Sequence, residues 1–252
     1  MLSENQDSGL HSANHSNRIS NLSSVENLRQ LLGLECKVCN NSGLVVQNID
    51  GYSYAKDCDC MVEYRNRLRI KKSGLEKTFE IYTFEQYTTK HRWQENVKNK
   101  ALEFVANIQG EWFYLSGAVG SGKSHICTAI CAELIKRASV YYMPWRDDIV
   151  SLKGKVTDAD AYQELIRKLK TVEVLYIDDF FKGKVTDADR NIAFEILNSR
   201  YNKRLITIIS SELGIEEVME TDEAIGSRIY QMAKRFTLLI QGKEYENNYR
   251  LK

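Results

Sequence analysis

Eight consecutive residues, Gly117-Ala118-Val119-Gly120-Ser121-Gly122-Lys123-Ser124, have the form G-x-x-x-x-G-K-[ST]. The chemistry this suits is the holding of a polyphosphate. Glycines let the backbone curl until successive N–H groups point inward at phosphate oxygens. A helix opening at the last of these residues adds the partial positive charge of its N-terminus. Lys123 would reach the β- and γ-phosphates of ATP, the Ser124 hydroxyl would ligate Mg²⁺, and His125 follows at the edge of the same cradle. About 50 residues further on, the apolar run Val174-Leu175-Tyr176-Ile177 ends in Asp178-Asp179. A buried strand that finishes in two carboxylates sets charge at the carboxyl edge of a sheet, where open α/β folds bind ligands. Asp178 would hold Mg²⁺ through water, and Asp179 would orient or deprotonate the attacking water.

A second set of chemical residues lies earlier. Cys36-x-x-Cys39 is followed by Cys58-x-Cys60, with Gly43 and Gly51 between to let the chain double back. Two close pairs on separate loops can converge on a tetrahedral S₄ site, which suits Zn²⁺ in a closed, structural role. Disulfides, redox-reactive thiols and an iron–sulfur cluster are the alternatives, the last at unusual spacing. Cys127 and Cys131 lie four apart on the helix after the phosphate loop and read as small core residues.

The elements that must position these groups follow a repeating pattern from Glu95 onward. Strand candidates are Trp112–Leu115, Val140–Met143, Val172–Ile177, Leu205–Ser210 and Phe236–Ile240. Helical stretches Ser124–Arg137, Asp158–Lys170, Asp187–Asn202 and Asp222–Lys234 separate them. Such alternation predicts a five-stranded parallel sheet flanked by helices, an α/β P-loop NTPase fold. The only proline, Pro144, follows the second strand, where a loop is expected. Residues 1–22 are polar and read as a disordered tail, with a short helix candidate at Ser24–Leu34. Residues 23–74 form the small cysteine-bearing module, 75–94 an aromatic linker, and 95–252 the ATPase domain. Residues 61–72 look like a basic helix; Arg65, Arg69 and Lys72 share a face that suits single-stranded DNA, an acidic partner or plain solvent. Phe79, Tyr82, Phe84 and Tyr87 either stack bases or cover the core, and the second is favoured.

The octapeptide KGKVTDAD occurs twice, at Lys153–Asp160 and Lys182–Asp189. Each copy precedes a helical stretch, and Thr157 with Asp160 and Thr186 with Asp189 fit an N-cap with an acid three positions on.

The phosphate loop, YIDDFF, NSRYNKRLITIISSE and AIGSRIYQMAKRF together resemble the DnaC/DnaI helicase-loader branch of the AAA+ ATPases, prophage-type DnaC-like replication proteins in particular. The resemblance covers about residues 35–252, and the IstB transposition helpers share the core. It implies an AAA+ ATPase with a reduced lid behind a zinc-binding, helicase-docking module. It also implies a polar sensor at Ser210 or Ser211, where Glu212 replaces the amide usual in this branch. Arg228 would act in trans on a neighbouring subunit's ATP, and Arg250 would stand where a second sensor arginine sits. The implied partners are a replicative DnaB-type helicase, single-stranded DNA and further copies of the chain in a nucleotide-dependent oligomer. The implied activity is loading of that helicase with ATP hydrolysis controlling release. Two rivals are an IstB-like transposition helper and a zinc-stabilised DNA-binding switch with little turnover.

Composition bounds these readings. The 252 residues carry a formal net charge of +1 and are 43% hydrophobic. Nucleic-acid contact must therefore come from a local patch rather than bulk charge. No apolar run approaches the roughly 18 residues a bilayer span needs, and the N-terminus lacks a secretory apolar region, so the cytosol is the expected compartment.

Overall fold

The computed structural model describes residues 35–49, 52–73, 75–156 and 158–240. The expected tail, the Ser24–Leu34 helix, Gly51, Thr157 and Arg250 lie outside the described residues. The chain divides into two compact units between Leu68 and Arg69.

In the first unit, β1 (Leu44–Ile49) pairs antiparallel with β2 (Tyr52–Asp57), Leu44 opposite Asp57 and Ile49 opposite Tyr52. Helix α1 (Cys60–Ser73) follows directly, and Arg65 on it forms an ion pair with Asp57. The division between the units falls within α1.

The second unit holds a parallel sheet in the order β4-β5-β6-β3-β7. Its strands are β3 (Trp112–Gly117), β4 (Val140–Pro144), β5 (Val174–Phe180), β6 (Ile206–Ser211) and β7 (Thr237–Ile240). The expected five-stranded sheet is present, and each strand lies within a few residues of its expected place. Its inner strands read as unbroken apolar runs because both faces are covered. On β3, Trp112 and Tyr114 enter one core while Phe113 and Leu115 enter the other. On β5, Leu175 and Ile177 face the first core and Val174 and Tyr176 the second. The second face is covered by α3 (Arg92–Ala106), through Val97, Ala101 and Phe104, and by α4 (Lys123–Leu134). The first is covered by α5 (Trp145–Gly154), α6 (Ala159–Thr171), α7 (Asp187–Lys203) and α9 (Glu223–Ala233), with α8 (Ile215–Thr221) packed beside α9.

Three local expectations need correction. Pro144 does not open a loop: it is the N-cap of α5, at φ −65°. Trp145, Ile149 and Leu152 are buried at helical spacing, and proline's fixed φ suits a helix start. The expected aromatic linker, 75–94, is partly helical. It contains the one-turn helix α2 (Glu76–Phe79), and α3 begins at Arg92, where the Gln94 side chain accepts from the His91 N–H at 2.9 Å. Finally, the two octapeptides are capped differently. In the second, Thr186 and Asp189 form the expected reciprocal cap of α7. In the first, Asp158 rather than Thr157 caps α6, accepting from the Ala161 N–H at 3.1 Å. Lys153 and Gly154 there still belong to α5, which leaves too few residues for the loop that the second copy makes. The copies also touch: Lys153 lies 2.5 Å from Asp189 and 3.5 Å from the Thr186 hydroxyl. Nothing in the structure explains why the eight residues are identical.

Candidate nucleotide site

The phosphate loop leaves β3 at Gly117 and enters α4 at Lys123. Its glycines are required by geometry. Gly117 has φ +150°, and a Cβ there would lie 2.8 Å from Ile240 Cβ. Gly122, the N-cap of α4, has φ +90° and would place a Cβ 3.3 Å from the Tyr87 ring. The loop encloses a cavity of about 300 Å³ with Tyr82, Asp179, Lys182 and Glu212 on its other walls, small but within the range of ligand pockets. Val119, Gly120, Ser121, Ser124 and His125 line it as the sequence anticipates; Ala118 contributes a backbone carbonyl.

Lys123 is buried and donates to the carbonyls of Gly117 at 2.7 Å and Ala118 at 2.9 Å. Burial lowers its pKa, against the opposing field of Asp179 and Glu212. Across the sheet edge, Asp178 accepts from four hydroxyls. Ser124 donates at 3.1 Å, Tyr176 at 2.7 Å and Ser210 at very short range, all to Oδ1, while Tyr142 donates to Oδ2 at 3.0 Å. This web links the carboxylate to the hydroxyl that would share a Mg²⁺ with it. Asp179 stands at φ +55° at the end of β5, and its N–H donates to Ser210 Oγ at 3.0 Å. Of the two candidate sensor serines, only Ser210 therefore meets the carboxylates. Ser211 turns away and donates to the Phe180 carbonyl at 2.8 Å.

The aromatic segment closes one side. His125 Nε2 contacts the Thr83 carbonyl at 2.8 Å, and its ring lies 5.0 Å from Tyr82 and 5.2 Å from Tyr87. Burial lowers the His125 pKa, although the Thr83 carbonyl opposes it. Phe84 and Tyr87 are buried in the second core, as favoured from sequence, while Tyr82 remains half-exposed on the cavity wall. Cys127 and Cys131 are core residues, their thiols pushed up by burial. Sequence reasoning missed Tyr82 and Lys182 as cavity residues. For Lys182 the available signal was its place three residues after Asp179.

Arg228 lies on α9 and does not line this cavity. Its Nε donates to Asn198 Oδ1 at 3.0 Å, its Nη1 donates to the Ala224 carbonyl at 2.7 Å, and its guanidinium lies 4.9 Å from the Phe194 ring.

In the first unit, the four sulfurs of Cys36, Cys39, Cys58 and Cys60 lie within 4.8 Å of one another. Cys36 and Cys58 are 3.9 Å apart, and Cys39 and Cys60 3.5 Å. Tetrahedral zinc with Zn–S bonds near 2.3 Å requires sulfur separations of about 3.8 Å, so the donor set fits. Gly43 at φ +79° makes the return: its carbonyl accepts from Cys58 N–H at 2.8 Å, and its N–H points at Cys39 Sγ, 3.4 Å away. Backbone N–H groups of Cys39 and Val38 lower the Cys36 pKa.

The model of the IstB-like ATP binding protein family matches residues 58–235. The chain belongs to this family. Among relatives of this IstB-like protein, the uncharacterized protein YqaM of Bacillus subtilis (strain 168) is 35% identical over 214 residues, 79% of this chain and 67% of YqaM. The phage-like element PBSX protein XkdC of the same organism is 30% identical over 232 residues, covering 86% of each chain. The replicative helicase loader DnaC of Escherichia coli (strain K12) is 26% identical over 164 residues, 64% of this chain and 66% of DnaC. The crystal structure of the DnaC helicase loader has the same fold, with a TM-score of 0.57 at 21% identity over 66% of this chain and 99% of that one. That of DnaI gives 0.55 at 22% identity, over 67% and 92%. The IstB-like chain thus has the P-loop fold of these helicase loaders, and its family binds ATP.

Proposed function

We propose that the protein is an ATP-hydrolysing replication factor that loads a replicative DnaB-type helicase onto single-stranded DNA. The observation that carries the ATPase part is the convergence of Lys123, Ser124 and Asp179 on one cavity, with Asp178 hydrogen-bonded to Ser124 and Ser210 linking Asp178 to the Asp179 backbone. Lys123 and the loop amides would hold the phosphates, while Ser124 and Asp178 would hold Mg²⁺. The metal, when bound, neutralises charge on the phosphate oxygens. Asp179 would take the proton of the attacking water, with Ser210 fixing its backbone. Tyr82 offers an aromatic face to the base. Arg228, held on α9 away from its own cavity, would serve a neighbouring copy, which makes hydrolysis depend on assembly. Arg250 would act as a second sensor. The similarity to the DnaC loader supports the helicase role.

On this reading residues 23–74 are a zinc-folded docking module, 75–94 a linker and 95–252 the ATPase domain of a cytoplasmic protein. Zinc supplies folding free energy to a segment with few core residues. The test is co-purification with the host's DnaB-type helicase, with and without ATP, for the wild type, Cys36→Ser/Cys39→Ser and Arg228→Ala. Binding that requires the cysteines, together with an Arg228→Ala variant that keeps ATP binding but loses assembled hydrolysis, supports the proposal. Absence of helicase binding under every nucleotide condition sinks the loader role. A second reading, a transposition helper, is favoured by the family match, and a transposase in place of the helicase tests it.

A further inference from the structure

The first lysine of each octapeptide ends on carboxylates. Lys153 meets Asp189, a structural cap, but Lys182 sits on the cavity wall. Its ammonium lies 2.8 Å from Asp179 Oδ2 and 2.9 Å from Glu212 Oε1. The three side chains are each about a third exposed, so they are neither a buried core pair nor a freely solvated one. The turn that brings Lys182 back is specific. Asp179 and Phe181 both have positive φ, and the Lys182 N–H donates to the Asp179 carbonyl at 3.1 Å. Phe180 and Phe181, stacked at 4.0 Å and buried, anchor that turn. The Lys182 pKa is raised; burial opposes the charge, but its bonds to Asp179 and Glu212 outweigh it.

Charge bookkeeping shows what this lysine does. The cavity walls carry Lys123 and Lys182 against Asp179 and Glu212. Without Lys182, two carboxylates at the ends of β5 and β6 face a single ammonium. A terminal phosphate brought to that edge would be repelled. Glu212 adds to the problem, because an amide at its place would carry no charge.

We propose that Lys182 is the residue that lets the site accept a nucleoside triphosphate in preference to a diphosphate, by neutralising Asp179 and Glu212 where the terminal phosphate must lie. The inference rests on the ATP-site reading above and names a binding determinant within it. Lys182 acts through the carboxylates it pairs with and is a positioning residue.

The test is equilibrium binding of ATP and ADP, each with Mg²⁺, to the full chain and to Lys182→Met, Glu212→Gln, the double variant and Lys182→Arg. Lys182→Met should weaken ATP about tenfold while changing ADP less than about threefold. Adding Glu212→Gln should restore most of the loss, and Lys182→Arg should bind as the wild type does. Equal weakening of both nucleotides, or no rescue by Glu212→Gln, overturns the proposal. Raising salt from about 0.05 to 0.5 M should shrink the ATP-specific loss, which a packing defect would not show. A Lys123→Ala control separates the two readings. If that variant binds ATP as tightly as the wild type, the ATP-site reading itself fails; if it does not and Lys182→Met keeps the wild-type ratio, only the present inference fails.

Discussion

Replacing Arg200 with methionine should strongly destabilise the second unit. Arg200 is fully buried, and its partners are carbonyls and a hydroxyl rather than a carboxylate. Nε donates to Thr207 Oγ1 at 2.9 Å; Nη1 donates to the carbonyls of Leu169 and Val172 at 2.8 and 2.9 Å; Nη2 donates to Ile206 at 2.6 Å and Glu173 at 3.5 Å. Burial lowers the guanidinium to about 9, which leaves it charged at neutral pH. The end of α6 supplies part of the compensation, since its last carbonyls carry the negative end of the helix dipole. Methionine fills similar volume but leaves several buried acceptors unpaired, at about 1–3 kcal/mol each. Water entry and relaxation recover part of this, so about 3–5 kcal/mol is the net expectation. For a unit of this size that is a fall in Tm of roughly 10 °C or more. Thermal and urea melts followed by circular dichroism would measure it, with Arg200→Lys recovering less than half because an ammonium cannot span the same fork of acceptors. A loss below about 1 kcal/mol would refute the argument that these carbonyls depend on Arg200. Arg200 also joins the amino ends of β5 and β6, whose opposite ends carry Asp178 and Ser210, so the variant's folded fraction should bind ATP more weakly as well.

Three other outcomes are expected. Lys123→Ala should weaken Mg·ATP about a hundredfold in a fluorescent-nucleotide titration with only a small change in Tm, because removing the lysine relieves the desolvation that lowers its pKa while it costs two loop carbonyls their donor. Protein purified from zinc-replete medium should carry about one zinc per chain by elemental analysis, and Cys36→Ser/Cys39→Ser none; a metal-free wild type would contradict the tetrahedral assignment. Asp189→Asn should cost about 1–2 kcal/mol at neutral pH. Burial alone would raise the Asp189 pKa, but Lys153 and Thr186 outweigh it and hold the carboxyl below its usual 3.8. Its stabilisation is therefore present above that value and lost as pH falls through the lowered folded pKa, so the gap between wild type and variant should close on acidification below about pH 4.

The sheet was legible because strands buried on both faces leave short apolar runs that alternate regularly with longer helical stretches, as in Trp112–Leu115 and Val174–Ile177. Helix α5 was missed for the opposite reason. Its buried residues Trp145, Ile149 and Leu152 alternate with Arg146, Asp147, Asp148 and Ser151, and the preceding proline suggested a turn. Only the packing of those three residues against the sheet makes the proline a helix start. The octapeptides show the same limit in its sharpest form. Identical residues cap one helix through Asp158 and the other through Thr186, because what precedes them differs: α5 in one case and the Phe180–Phe181 turn in the other.

The site divides along the same line. Lys123, Ser124 and the glycines were readable because their function depends on a backbone curl encoded within eight residues. The cysteine quartet was readable because metal geometry constrains spacing. The grouping of Lys182 with Glu212 and Tyr82 was not readable, since these residues converge from three segments and only sheet order brings them to one wall. Ser210 illustrates the boundary between the two. The family resemblance implied a polar sensor at position 210 or 211 without choosing between them. The pleat then decides between them, sending Ser210 toward Asp178 and Ser211 toward the Phe180 carbonyl. A one-residue slip of β6 against β5 would exchange the two serines and disconnect Asp178 and Asp179 from Ser210 together. The register that pairs Ile177 with Ile209 is therefore part of the proposed catalytic arrangement, and the buried Arg200 bridges the far ends of the same two strands.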